Sequence, residues 1–168
     1  LAICIKIGDR DGQAIALSNM GEAAAAGGRW SQAVEFYRQG LALARLTQDV
    51  LSLTTCLINL GQAQTHLGQL VSARSLLVEG LRAAQSSQLA VKVVQAVLAL
   101  GEWLEKNGQT GKAGELAQAV KQHPACEEDH LRAANELLAR GAPAEETTPQ
   151  RDLDELVPQI LAGDYLAG

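Results

Sequence analysis

Leu17-Ser18-Asn19-Met20-Gly21, followed by Gly28 and Ala33, returns forty residues later as Leu57-Ile58-Asn59-Leu60-Gly61 with Gly68 and Ala73, and again as Val97-Leu98-Ala99-Leu100-Gly101 with Gly108 and Ala113. The apolar-Gly pair, a second Gly seven residues on and an Ala twelve residues on keep their places three times. A period of this length marks one supersecondary unit that cannot bury its own apolar face. Such units stack on copies of themselves and present a curved surface suited to binding. The pattern points to a binding array and away from an enzyme.

Composition agrees. The 168 residues are 47% hydrophobic and only 3% aromatic, which calls for an aliphatic core rich in Ala. Strand formers are scarce, and all four Pro stand at Pro124 or later, so no ring breaks a helix before that point. A net charge of −5 lacks the clustered Lys and Arg of a phosphate-tracking surface, so nucleic acid is not expected as a direct partner. No apolar run approaches the roughly 20 residues of a bilayer span and no signal peptide is visible, so a soluble chain with no membrane partner is expected. Cys4, Cys56 and Cys126 are odd in number and far apart, which suits a reducing, cytoplasmic compartment.

Within each repeat, apolar residues recur at three- and four-residue spacing and pause at Gly28, Gly68 and Gly108. Each repeat therefore reads as a helical hairpin, with first helices near 10–27, 50–67 and 88–107 and second helices near 30–47, 70–86 and 110–122. Asp9, Asp49 and Ser86 or Ser87 are the candidate N-caps. The mid-helix Gly21, Gly61 and Gly101 each cost ~1 kcal/mol relative to Ala, which close packing against Ala33, Ala73 and Ala113 would offset, with Leu17, Leu57, Val97, Tyr37 and Leu77 filling the surrounding space. The expected organisation is a remnant of a preceding second helix (1–9, since Leu1–Asp9 align with Leu41–Asp49) and three hairpins at 10–48, 49–87 and 88–122. A capping helix at 123–141 with the stripe Leu131, Ala134, Leu138, a linker at 142–151 and an amphipathic tail at 152–168 complete it. Leu153, Leu156, Val157, Ile160 and Leu161 form the tail's stripe, with Pro158 expected to kink or divide it. The tail either docks on the array or serves as a partner-binding segment.

The Gly pair, the Ala twelve on and Tyr37 four residues after Ala33 resemble the tetratricopeptide repeat, over residues 1–122. The resemblance implies an all-α solenoid of antiparallel hairpins wound into a right-handed superhelix with capping helices at its end. The period exceeds the usual length of about 34 residues, so the helices are longer. The third repeat departs from the pattern, with Ala117 and Val120 where the others have Tyr37/Gly40 and Leu77/Gly80. The Ile7–Arg10 opening and the Asn before the apolar-Gly pair resemble the arrays of bacterial signalling ATPases and transcriptional activators, and also those of spindle-orientation adaptors and kinesin light chains. The residues beyond His123 lean toward the bacterial group, which implies a protein-interaction or sensing module in signalling or transcription regulation.

Residues four and seven apart share a helix face. Ile15, Asn19, Glu22 and Ala26 form one stripe of the first helix, away from a packing stripe of Leu17, Met20, Gly21 and Ala24. Their forty-residue equivalents are Thr55, Asn59, Gln62 and His66, then Gln95, Ala99, Glu102 and Lys106. Side by side these stripes are expected to line a concave groove for a peptide or protein domain, which the resemblance also implies is the ligand side. Asn19 and Asn59 each offer a donor and an acceptor to a bound main chain; alternatively each hydrogen-bonds a neighbouring helix. Trp103, standing where the other repeats have Ala23 and Ala63, is a space-filler or an exposed anchor.

Enzyme-like signals fail. Gly108–Ala113 lacks the spacer, the closing Ser or Thr and the preceding strand of a phosphate loop. His123, Cys126 and His130 read as a helix junction with no fourth ligand to close a tetrahedral metal site. No nucleophile stands near a base, so neither catalytic residues nor cofactors are expected. The competing reading is an assembly scaffold that self-associates through its convex face. A homodimer is a further expectation, because Ile3, Ile5, Ile7 and neighbouring aliphatics would lack the repeat that covers them.

Overall fold

The computed structural model describes residues 1, 2, 4, 8–141 and 151–166. Ile3, Ile5 and Ile7 and nearly all of the expected linker lie outside the described residues. Among the described residues there is no strand; the helices are α1 (Arg10–Ala26), α2 (Trp30–Thr47), α3 (Val50–His66), α4 (Leu70–Ser86), α5 (Ala90–Lys106), α6 (Thr110–Gln122), α7 (Glu128–Arg140) and α8 (Leu153–Ala162). The fold is all-α, a solenoid type in which consecutive helices pack, and the six repeat helices begin and end within two residues of the sequence reading. Two compact units divide the chain, Leu1–Ala83 and Ala84–Gly168.

In the first unit α1 packs on α2, α2 on α3 and α1 on α3. Asp9 caps α1 by accepting from the Gly12 N–H (2.9 Å), and Asp49 caps α3 by accepting from Leu51 (3.0 Å) and Ser52 (3.3 Å). The Ser52 side-chain hydrogen bond, with those from the Ser52 and Leu51 amides, outweighs the opposing effect of burial and holds the Asp49 carboxyl below its ordinary range. The cap thus contributes stability above the usual carboxylate range and loses it as pH falls through the lowered value. Ser86 and Ser87 do not cap α5. Leu89 holds that place without a side-chain bond, because it stands forty residues after Asp49 and the geometry of the turn keeps the period.

The intrahairpin turns need Gly for their backbone: Gly28, Gly68 and Gly108 have φ of +70°, +73° and +80°, where an L side chain is strained. The mid-helix glycines serve a different need. A methyl group on Gly21 would collide with the Tyr37 ring, and one on Gly61 would stand 2.7 Å from Cγ of Leu77. Both glycines are therefore the floor on which a large side chain of the second helix lies, while Ala33 and Ala73 are wholly buried beside them. Met20 departs from the expected packing stripe. It is 38% exposed, whereas Leu17, Gly21 and Ala24 are buried, because it points to the face of α1 turned away from α2.

In the second unit α5 packs on α6, α7 on both, and α8 on α6. Ala117 leaves no large side chain to lie over Gly101, and Leu137 of α7 supplies it: a methyl group on Gly101 would stand 2.6 Å from Leu137 Cδ2. Turning Leu137 inward rotates Leu131 out. Ala134 and Leu137 are buried, Leu138 is half-buried and Leu131 is exposed, which corrects the expected stripe. His130 Nδ1 accepts from the Glu127 N–H at 3.2 Å and helps start the helix.

The tail docks. Leu153, Leu156, Val157 and Ile160 are buried on one side of α8, and Leu161 is half-buried. Arg151 Nε donates to Glu115 Oε1 (2.7 Å), the Tyr165 hydroxyl donates to Glu115 Oε2 (2.7 Å), and Lys112 Nζ donates to the Tyr165 carbonyl (2.9 Å). Burial first, and then the Glu115 carboxylate, push the Tyr165 phenol well above its ordinary range. Pro158 does not divide α8. The carbonyl it leaves without an N–H partner belongs to Asp154, which is exposed and open to water.

Two outcomes test this packing in thermal or urea unfolding. Leu137→Ala is expected to destabilise the chain by about 2–5 kcal/mol and Leu131→Ala by under about 0.5 kcal/mol. Ala33→Leu and Ala73→Leu, which add bulk where two helices meet at a glycine, are expected to cost ~1–3 kcal/mol each.

Candidate partner-binding groove

The stripes proposed from sequence lie on α1 and α3 in the first unit and on α5 in the second. On α1, Ile15, Asn19 and Glu22 are exposed, Ile15 by 52%. On α3, Thr55 and Gln62 are half-buried, His66 is exposed and Asn59 is only 6% exposed. On α5, Gln95 and Glu102 are half-buried and Lys106 is exposed; Lys92 Nζ donates to Gln95 Oε1 at 2.9 Å. Ala99 is buried, as is Trp103, which is thus a space-filler and not an exposed anchor.

The α1 and α3 stripes meet. Asn59 Nδ2 donates to Glu22 Oε1 at 3.0 Å, an offset of thirty-seven residues that sets the register between the two first helices. By that register Ile15 stands at the same end as Leu51, a residue the sequence reading omitted. Leu51 is four residues before Thr55, continues the α3 stripe by one turn and is 53% exposed. One end is therefore apolar, the middle carries a carboxylate and amides, and the far end carries His66.

The Glu22 bond gives Asn59 the helix-bridging role that stood as the alternative to contact with a bound main chain. Asn19 has no equivalent constraint: it is exposed on α1. The two amides, equivalent in sequence, differ because Asn59 has the preceding first helix beside it. A second feature was not legible either. The His66 ring stacks on the Trp30 ring with centroids 3.8 Å apart and planes within 5°. Trp30 opens α2, so this stack ties the far end of α3 to the start of the first hairpin's second helix. The only available signal was that Trp30 replaces Leu70 and Thr110 of the other repeats.

Residues 16–51 match the family model described as tetratricopeptide repeat. This stretch is similar to a tetratricopeptide repeat. It runs from the second turn of α1 through α2 into α3, the part of the chain where Gly21, Gly28, Ala33 and Tyr37 all fit the pattern. Searches of curated proteins and of solved structures each found no match. Tetratricopeptide repeats are non-catalytic units that generally mediate protein–protein interaction.

Cys56 is buried, and burial pushes its thiol up to about 11, so it stays protonated and inert at neutral pH. His123 Nδ1 accepts from the Ala125 N–H at 3.1 Å and His130 Nδ1 is engaged at Glu127, both in local turn roles. Among the described residues no three His, Cys, Asp or Glu side chains converge as metal ligands, and no helix is long and apolar enough to cross a membrane.

If the Glu22–Asn59 bond holds the two first helices in register, Asn59→Ala is expected to destabilise the chain by about 1–3 kcal/mol. A double-mutant cycle with Glu22→Ala should then show coupling of about 0.5–1.5 kcal/mol in urea unfolding. Absence of coupling would leave Asn59 without a bridging function.

Proposed function

We propose that this chain is a protein-interaction and sensing module that holds an extended segment of a protein partner along the α1–α3 groove. The observation that supports this most is the Glu22–Asn59 hydrogen bond, which puts two first-helix stripes side by side in the tetratricopeptide part of the chain. In this reading Ile15 and Leu51 take an apolar side chain, Asn19 and Gln62 pair with the bound main chain, and Glu22 and His66 flank it. Gln95, Glu102 and Lys106 form the corresponding stripe of the second unit. The groove's mixed charge leaves discrimination to shape and amide pairing more than to net charge.

A place within a larger regulatory protein of bacterial type is supported by the Ile7–Arg10 opening and the Asn-apolar-Gly motif, which resemble the arrays of signalling ATPases and transcriptional activators. A cytoplasmic setting is supported by Cys4, Cys56 and Cys126, which are free thiols.

The test uses a peptide array probed with the chain, followed by titration of the retained peptides. Asn19→Ala is expected to weaken them about five- to tenfold, one lost hydrogen bond being worth ~1 kcal/mol or slightly more, with the melting temperature unchanged. Peptides held equally well by Asn19→Ala and Gln62→Ala chains would exclude the groove as the binding surface.

A further inference from the structure

Along α6 and its C-cap, Glu115, Ala119 and His123 stand four residues apart and share one face. Their equivalents are Glu35, Gln39 and Leu43 in the first repeat and Ser75, Glu79 and Ala83 in the second. Gln39 and Glu79 are exposed, whereas Ala119 is only 1% exposed. The apolar residue beside it follows the same trend: Leu116 is wholly buried, while Phe36 and Leu76 are half-buried. An Ala in place of two long polar side chains opens a shallow apolar seat, and the tail occupies it. Arg151 and Tyr165 meet Glu115, and Leu153 and Val157 reach the surroundings of His123.

Tyr165 is held by charge as well as by burial. Lys112 Nζ and the Arg151 guanidinium each stand 5.8 Å from its ring centroid, and its hydroxyl donates to Glu115. The part of this grip that belongs to α6, Lys112 and Glu115, favours a phenol over a plain aromatic or aliphatic side chain. The third hairpin is closed without the tail, since α7 packs on both α5 and α6 and Leu137 fills the seat over Gly101. Nor does the tail fill its own seat. A recess of about 240 Å³ remains between the start of α8 and the start of α5, lined by Gln85, Val93, His123, Leu153 and Val157. Such a space forfeits contacts that a closely packed interface makes, so the tail holds less tightly than the site allows.

We infer that this face of α6 is a second docking surface, kept closed by the chain's own tail. It takes an amphipathic helix of a protein partner, with aliphatic side chains at the spacing of Leu153, Leu156, Val157 and Ile160 and a tyrosine just beyond the helix end. The partner gains the site by displacing α8. Ala119 admits the aliphatic side chains, and Lys112 and Glu115 recognise the tyrosine. The seated tail is the template for this chemistry. The inference is independent of the α1–α3 groove, which belongs to the other unit.

The probe is a synthetic peptide of residues 151–166, titrated into the full chain and into a full chain carrying Leu156→Asp, which unseats the tail and leaves α6 unaltered. The Leu156→Asp chain is expected to bind the peptide at least about tenfold more tightly than the unaltered chain, whose own tail competes for the site. A peptide carrying Tyr165→Phe is expected to bind the Leu156→Asp chain about five- to tenfold more weakly than the parent peptide. Equal affinity of the two chains for the parent peptide, or none in either, would overturn the inference, as would a Tyr165→Phe peptide held as tightly as the parent. If Leu156→Asp unfolds more than the tail, hydrogen exchange of the unaltered chain decides. The α8 amides are expected to exchange about a hundredfold faster than those of α5 and α6; exchange of all three helices as one unit would show the tail to be inseparable from the fold and would overturn the inference.

Discussion

The close approach of two helices at a bare glycine is the constraint on which the rest depends. A first helix with no side chain at Gly21, Gly61 or Gly101 offers a shallow seat, and a large side chain must occupy it or leave a void. Tyr37 and Leu77 do so from within their own hairpins. In the third repeat the seat is filled from outside, by Leu137 of α7. That helix is thus part of the third hairpin's core as well as its cover, which explains why α7 follows α6 so closely. Its outward face, with Glu128, Leu131, Arg132 and Glu136 exposed, is suited to water and not to a further copy of the repeat.

The polar interactions divide by purpose. Arg45 and Glu79 pair at 3.1 Å with both side chains about half exposed, a geometry that contributes little to stability. The Glu115 cluster with Arg151 and Tyr165 is more enclosed and receives hydrogen bonds on both carboxylate oxygens, so it can orient the tail that the apolar face of α8 holds down. The Glu22–Asn59 bond sits between these cases, part-buried and between helices of successive hairpins. It fixes the register of α1 against α3 within the first unit.

What the sequence determined by itself was whatever the forty-residue period carries: helix positions, turn glycines and the buried Ala33, Ala73 and Ala113. These are local, because turn conformation and the apolar face of a helix depend on residues a few positions apart. Tertiary structure decided which equivalent residues are equivalent in fact. Asn19 and Asn59, or Met20 and Leu60, share a place in the period but not an environment, since Asn59 meets Glu22 and Leu60 joins the Val34, Tyr37 and Leu41 cluster while Asn19 and Met20 are exposed. The rotation of α7 that exchanges Leu131 for Leu137, and the stacking of His66 on Trp30, likewise follow from where a partner helix leaves space. Helical periodicity fixes which residues share a face, but only packing fixes what that face meets.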